Sequence, residues 1–327
     1  MEQDAFKGRS TVITGGLGFI GSNLAHRLVG LGAKVVLIDN LFPNHGSNRA
    51  NIRGIEDRVD LHILDMRDSE ALRGLLDGVE FVFNLAGQTS HLDSMHDPVT
   101  DLEMNVSAQL VLLEGCRGRC PGARIVYAST RQIYGRPQYL PVDERHLLRP
   151  VDVNGVNKMA GEAHHIVYND VYGLRSTALR LTNTYGPRMR VRDARQTFLG
   201  LWIRKALEGE PYEVWGGAQL RDLAYVDDVV DALMHAALCP DLDGAPFNVS
   251  GSPALSLLEL AQMLERATGQ GFAIREFPEE RKRIDIGDYY ADDSRFRELT
   301  GWAPQVSLQE GLERTLAYFR DHLSDYV

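Results

Sequence analysis

The chain has 327 residues, 44% of them hydrophobic, and a formal net charge of −10, enough for one large α/β unit or a main domain with a satellite, and too acidic to suggest the basic stripe of a nucleic-acid groove. No apolar run approaches the ~18 residues that a membrane span needs, and Met1-Glu2-Gln3-Asp4-Ala5 lacks the pattern of a signal peptide. Its three cysteines, Cys116, Cys120 and Cys239, have neither metal spacing nor the even count of a disulfide set, so we expect a cytoplasmic protein with no metal, membrane or nucleic-acid partner.

In chain order, Thr11–Thr14 reads as a buried strand, Ile20–Leu31 as a helix stopped by Gly32, and Lys34–Asp39 as a second strand. Leu61–Leu64 is a third strand with a helix around Ser69–Leu76, and Phe81–Leu85 a fourth with a long helix around Asp101–Arg117. Arg124–Ala128 is a fifth, Asn157–Tyr172 a strong helix candidate and Ser176–Leu181 a further inner strand. This alternation predicts a Rossmann-type, doubly wound parallel sheet whose ligands bind at the carboxyl ends of the strands. After Gly186 the texture changes, and Leu255–Thr268 and Ser307–His322 read as amphipathic helices of a smaller α+β lobe. We assign residues 1–185, 219–250 and 284–292 to the cofactor domain, and 186–218, 251–283 and 293–327 to the lobe.

Gly15, Gly18 and Gly21 lie between the first strand and its helix. There a turn needs a residue without Cβ, the backbone must approach a pyrophosphate, and the helix N-terminus favours anions. Asp39 ends the next strand. A carboxylate there bonds both ribose hydroxyls and repels a 2′-phosphate, so the expected cofactor is NAD.

The segment Thr14-Gly15-Gly16-Leu17-Gly18-Phe19-Ile20-Gly21-Ser22 resembles the opening of the extended short-chain dehydrogenase/reductase family, the NAD-dependent nucleotide-sugar epimerases and dehydratases. Further segments carry the resemblance through nearly the whole chain. Leu64–Asp68 resembles the adenine contact, Asn84–Gly87 the motif beside the cofactor, and Asn105 the asparagine of the following helix. Ser129–Gly135 resembles the active-site strand end, Arg180–Pro187 the junction of substrate and nicotinamide, and Gln219–Asp228 the motif of a phosphate arginine, here Arg221. The resemblance implies a nucleotide-diphosphate sugar as substrate and a homodimer pairing the helices around Asp101–Arg117 and Asn157–Tyr172. It implies cofactor contacts from Gly15, Gly18, Phe19, Ile20, Gly21, Asp39, Asn40, Asp65, Met66, Leu85, Ala86, Gly87 and Lys158. It implies substrate contacts from Gln88, Arg131, Asn183, Arg192, Arg195, Gln196 and Arg221.

One departure stands out. The family's chemistry rests on a Tyr-x-x-x-Lys pair one helical turn apart. Lys158 is present, but Asn154 holds the tyrosine position, and no other lysine has a tyrosine four residues before it. Asparagine is no base near neutral pH, and a general acid–base group is worth roughly 10²–10⁴-fold in rate. Thr130 keeps the Ser/Thr position. Lys158, His91 and Tyr185 are the candidate replacements for the tyrosine: a lysine whose pKa burial lowers, a histidine with a suitable pKa, and an aromatic near the pocket.

Arg131 and Gln132 replace the Asp-Glu pair of sugar 4,6-dehydratases, which weakens that reading. Arg188, Arg190, Arg192 and Arg195 read as a clamp for a diphosphate or a sugar carboxylate. The Arg195–Trp202 segment, with Ala86-Gly87-Gln88, resembles the CDP-tyvelose 2-epimerase branch. Near the end, Asp285 sits where the family's second phosphate arginine usually is, with Arg281 or Arg283 to compensate. The leading expectation is an epimerase working through a keto intermediate. A dehydratase or oxidoreductase, and a silent NAD-binding regulator, are the alternatives.

Overall fold

Along the inner strands, burial alternates between two apolar faces, as a sheet covered on both sides requires. Val12, Ile38, Val82 and Ile125 belong to one core cluster, while their neighbours Ile13, Leu37, Phe83 and Val126 belong to another. The computed structural model describes residues 4–43, 45–251 and 253–327, with the side chains of Glu280 and Arg281 excepted. The reading of Met1-Glu2-Gln3 as lacking a signal pattern, and the compensating role considered for Arg281, lie outside the described residues.

Seven parallel strands form the central sheet: β1 (Ser10–Thr14), β2 (Lys34–Asp39), β3 (Val59–Ile63), β4 (Phe81–Asn84), β5 (Arg124–Thr130), β6 (Arg175–Leu181) and β7 (Pro246–Val249). Their spatial order is β7-β6-β5-β4-β1-β2-β3, a doubly wound Rossmann arrangement that reverses direction beside β1 and opens a crevice there. The main helices are α1 (Phe19–Gly30), α2 (Ser69–Gly74), α3 (Ala108–Arg119), α4 (Val153–Tyr172), α5 (Phe198–Leu207), α6 (Val226–Leu238), α7 (Leu257–Thr268) and α8 (Leu308–His322). Leu24 and Leu28 of α1 and Val229 and Leu233 of α6 cover one face of the sheet, while Leu72 of α2 and Leu112, Leu113 and Cys116 of α3 cover the other.

Two helices differ instructively from expectation. The long helix around Asp101–Arg117 is a helical turn at Pro98–Leu102, a π-helical turn at Glu103–Ser107, and then α3. Such π turns concentrate at functional sites, and this one carries Asn105. The helix α4 starts at Val153, before the expected Asn157, because Asp152 caps it by accepting the Gly155 N–H at 2.6 Å. Asn154 therefore lies in its first turn.

The lobe has its own core of Trp202, Ile203, Tyr212, Val214, Leu260, Leu264, Leu316 and Phe319. Phe296 and Trp302, taken with the lobe from the sequence, pack instead in the cluster beneath α1 and α6. We propose the same two-part division with that stretch moved to the cofactor domain.

Behind the cleft, a buried ion pair ties α4 to β6. Arg180 Nη2 lies 2.5 Å from Glu162 Oε1, both side chains being 4% exposed. Ser129 Oγ donates to Glu162 at 2.6 Å, and Arg180 Nη1 donates to the Tyr134 hydroxyl at 2.8 Å. Removing one partner of such a pair leaves a buried charge uncompensated, at about 3–5 kcal/mol. Glu162→Gln is accordingly expected to destabilise the fold by about that amount in chemical denaturation; an unchanged midpoint would mean that Arg180 finds another counter-ion.

Candidate active site

The end of β1 turns at Gly15, which has φ +67° and whose Cβ would lie 3.0 Å from the Ala86 nitrogen. Gly21 brings α1 against this turn so closely that a Cβ there would lie 2.2 Å from the Gly15 carbonyl oxygen. The N-cap of α1 is Gly18, and no side chain caps the helix. Its first-turn N–H groups are left for an anion. Thr14 Oγ1 braces the crevice by donating to Asn84 Oδ1 at 2.9 Å and accepting the Leu85 and Ala86 N–H groups at 3.1 Å.

A cavity runs from this turn along the strand ends. Gly15, Gly18, Phe19, Ile20, Gly21, Asp39, Asn40, Asp65, Met66, Leu85, Ala86, Gly87 and Lys158 all line it, so every expected cofactor residue is brought together. Asp39 is buried, and its two oxygens accept the Leu17 and Leu41 N–H groups at 3.1 and 2.9 Å. This fixes a carboxylate at the end of β2, where a ribose would lie. At the adenine end, the Arg67 guanidinium beside Asp65 holds that carboxyl down at about 2. The uncapped helix, the glycine cradle and the fixed carboxylate fit a dinucleotide, held through backbone amides, Asp39 and Lys158.

Thr130, Lys158, Asn154 and His91 line the same cavity. Thr130 Oγ1 accepts the Gln132 N–H at 3.2 Å, which leaves its own proton to donate. Lys158 Nζ donates to the Ala128 carbonyl at 2.5 Å and sits 4.3 Å from the Tyr127 ring centroid. Burial pushes its pKa down to about 8, against the opposing pull of Asp101 and Glu162.

Asn154 is wired inward. Its Nδ2 donates to the Gln88 carbonyl at 2.8 Å and to Asp101 Oδ2 at 3.0 Å, with Gln88 Oε1 at 3.3 Å. Asn157 Nδ2 takes the other Asp101 oxygen at 2.7 Å, and Asn105 Nδ2 donates to the Gln88 carbonyl at 3.1 Å. Acceptors alone surround Nδ2, so the amide orientation is fixed. The residue is a donor to its neighbours and no proton acceptor for a substrate. Tyr185 lines neither cavity described here; its hydroxyl donates to the Leu308 carbonyl at 3.3 Å in the core of the lobe.

A second cavity of about 550 Å³ adjoins the first. His91, Arg131, Asn183, Gln196 and Thr197 line both. Arg195 and Arg221 line the second, and Gln88 the first. The expected arginine clamp is largely absent. Arg188 turns back to Asn23 Oδ1 at 2.9 Å and the Asn51 carbonyl at 3.1 Å, and Arg190 pairs with Asp193. Arg192 lines neither cavity and is exposed, because the Arg190–Asp193 pair folds the segment so that position 192 faces out. Only Arg195 reaches the cavity, 3.5 Å from Asp93.

Arg221 is committed too. Its Nη1 donates to the Leu220 and Gly287 carbonyls, and Nη2 pairs with Asp285 Oδ1 at 3.1 Å. Burial and the nearby Arg131 bring its pKa down to about 10. Asp101, Asp152, Asn157 and the aromatic wall of Trp215 and Phe277 did not stand out in the sequence. Of these, only Asp152 left a signal, as a cap-type residue before an apolar-periodic run.

Known proteins share this arrangement. The family model for the NAD dependent epimerase/dehydratase family matches residues 11–250. A UDP-glucose 4-epimerase of Mycolicibacterium smegmatis is 33% identical over 316 residues, covering 95% of this chain and 98% of that protein. A UDP-glucuronic acid decarboxylase 1 of Xenopus tropicalis is 30% identical over 323 residues, covering 95% of this chain and 72% of the relative. The structure of Thermus thermophilus UDP-glucose 4-epimerase in complex with NAD superposes with a TM-score of 0.83 at 29% identity, covering 95% of this chain and 99% of that one. The chain belongs to the NAD-dependent epimerase/dehydratase family, and its cofactor is NAD. Among the described residues, no cluster of metal-ligating side chains occurs and no helix is long and apolar enough to cross a membrane.

The Arg221–Asp285 pair sets an expectation for anion binding. Asp285→Asn removes the competing charge and should tighten inorganic pyrophosphate about tenfold, or roughly 1.4 kcal/mol, by titration calorimetry. Equal affinity in the two proteins would show that Asp285 does not compete.

Proposed function

We propose that the chain is an NAD-dependent epimerase of a nucleotide-diphosphate sugar, working through a transient keto intermediate with an acid–base group other than tyrosine. The observation that carries this reading is the wall common to the two cavities. His91, Arg131 and Asn183 line both, so a sugar in the second cavity meets the nicotinamide end of the first. When bound, NAD supplies a hydride acceptor that can return the hydride. Thr130 donates to the reacting oxygen, Lys158 anchors the cofactor ribose, and Asn183, Arg131 and Arg221 hold the substrate. Gln88, Arg195 and Gln196 line its flank. The UDP-sugar relatives make a UDP-sugar the first substrate to try.

An oxidoreductase or lyase on the same substrate class is the second reading, favoured by the decarboxylase relative. A dehydratase is disfavoured because Gln132, in place of an acid, spends its amide on Asp152 at 2.7 Å. A silent regulator would need neither Thr130 nor Lys158 on the cavity wall. The deciding measurement is product analysis by NMR in deuterated water across UDP-, GDP-, CDP- and dTDP-sugars. Inverted stereochemistry supports epimerisation; net NAD consumption or loss of water or carbon dioxide supports the second reading, and binding without turnover supports the regulator. Asn154→Tyr should lower turnover by about 10–100-fold, because it strips Asp101 and Gln88 of their donor. A sharp rise would instead mark Asn154 as a lesion.

We place the protein in the cytoplasm as a homodimer. Val99, Leu102, Val167 and Val171 are 62%, 46%, 50% and 65% exposed on the two helical segments that the resemblance pairs. Val171→Arg is expected to yield a folded monomer in sedimentation velocity, and a native protein that sediments as a monomer would end this reading.

A further inference from the structure

Asn154 holds the position where the resemblance expects a tyrosine, and a buried carboxylate meets an imidazole at the edge of the site. Resting on the reading of the cleft as an NAD-dependent sugar-nucleotide site, we propose that Asp152 and His91 form the acid–base dyad that stands in for the tyrosine, with His91 Nε2 carrying the proton and Asp152 as the positioning residue.

The geometry comes from two helix starts. His91 opens the short helix His91–His96, which Ser90 caps by accepting the Asp93 N–H at 3.2 Å. Asp152 caps α4, whose first turn holds Asn154 and whose second holds Lys158. The two helices are fastened together where the Asn154 N–H donates to Ser94 Oγ at 3.1 Å. This places His91 Nδ1 3.0 Å from Asp152 Oδ2. The Asp152 side chain is 0% exposed and His91 is 35% exposed. Asp152 Oδ1 is held by the Gly155 N–H at 2.6 Å, and Oδ2 also accepts the Gln132 amide at 2.7 Å. Two hydrogen bonds therefore fix the carboxylate, with the His91 ring beside it.

Burial would push the Asp152 carboxyl up, but His91, the Gly155 N–H and the Gln132 amide outweigh it and keep it below its usual range. Asp152 is thus anionic when His91 meets it. A carboxylate 3.0 Å from Nδ1 favours the tautomer with its proton there, which a small rotation of the ring would align on Oδ2, and leaves the lone pair on Nε2. The His91 ring lines both cavities, and its buried Nδ1 sits at ion-pair distance from Asp152 Oδ2 without an aligned hydrogen bond to it. Among the described residues Nε2 has no hydrogen-bond partner. The other two candidates fail on geometry. Lys158 Nζ donates to the Ala128 carbonyl and is assigned to the cofactor ribose, and the Tyr185 hydroxyl lies in the lobe core.

The step balances without a further reagent. The O–H bond of the sugar carbinol breaks and its proton moves to His91 Nε2. With NAD bound, the oxidised nicotinamide would accept the geminal hydrogen as hydride, so that the carbinol would become a carbonyl as the neutral His91 imidazole became imidazolium. Asp152 stabilises that imidazolium, and the reverse transfer restores the alcohol. Thr130 donates to the same oxygen throughout.

The test uses the full-length protein as purified with its cofactor, and two variants. Asp152→Asn keeps an oxygen to cap α4 but removes the charge; His91→Gln removes the proton carrier. In imidazole ¹⁵N NMR, with His91 identified by its loss in His91→Gln, the native ring should carry its proton on Nδ1 and Asp152→Asn should shift it toward Nε2. With a sugar nucleotide that the native protein turns over, His91→Gln should lower kcat by about 10²–10⁴-fold and Asp152→Asn by a smaller factor, each with KM and NAD affinity within about threefold. A native Nε2–H tautomer, or either variant with native kcat, overturns the dyad. Native kcat in His91→Gln, with the native protein active, defeats the dyad alone. A native protein that turns over none of the panel defeats the parent reading, and the dyad's catalytic role with it.

Discussion

The cleft depends on one buried charge, the carboxylate of Asp101. It is fully buried, and its partners are amides: Asn154 on one oxygen and Asn157 on the other. A carboxylate in that position demands donors, because an unsatisfied buried charge costs several kcal/mol. The helix α4 supplies two from its first turns, and so is drawn against the segment Pro98–Leu102 at a fixed rotation. Lys158, one turn further along the same face, supplies the balancing positive charge, and Asp101 in turn works against the fall in its pKa. Asn154 is therefore part of how the lysine is aimed at the cofactor cavity. A tyrosine at 154 would offer one hydroxyl where Nδ2 now meets three acceptors.

The family likeness and the local chemistry speak at different levels. The cofactor end is built from backbone: a glycine turn, free helix amides and a strand-end carboxylate. These depend on chain path, which sequences 29–33% identical share almost end to end. The reacting end is built from side chains that answer to one another. Replacing the tyrosine requires an acceptor for asparagine, which Gln88 and Asp101 provide. In the proposed dyad the proton carrier comes from elsewhere on the wall, His91 beside Asp152.

This division explains what could be read in advance. The parallel sheet, Gly15–Gly21 and Asp39 were legible because spacing and periodicity are local, whereas Asp65 and Lys158 came from the family resemblance. The start of α4 was placed too late because Val153–Val156 lack the apolar period, and it is the tertiary contact of Asp152 with His91 and Gln132 that marks the cap as more than a cap. The arginine segment misled for the opposite reason. Four like charges within eight residues suggest one ligand, but once folded they point apart: Arg188 to Asn23 and Asn51, Arg190 to Asp193 and Arg195 to Asp93, while Arg192 faces out. Sequence proximity carries no information about those directions.

The substrate end follows the same logic of paired charges. Arg221 and Asp285 form one ion pair and Arg195 and Asp93 another. On the proposed reading, a diphosphate entering there would have to displace a carboxylate from a guanidinium, or share its donors, before it gained a contact of its own. Binding energy at that end is therefore a difference between two anions rather than the full attraction of an open cation. Such a site discriminates by geometry more than by charge, because only a ligand whose oxygens match the guanidinium fork better than Asp285 does recovers the loss. The common wall of His91, Arg131 and Asn183 then receives whichever sugar that exchange admits. On the proposed reading, substrate choice would rest on the Arg221–Asp285 exchange, while the chemistry would rest on the common wall.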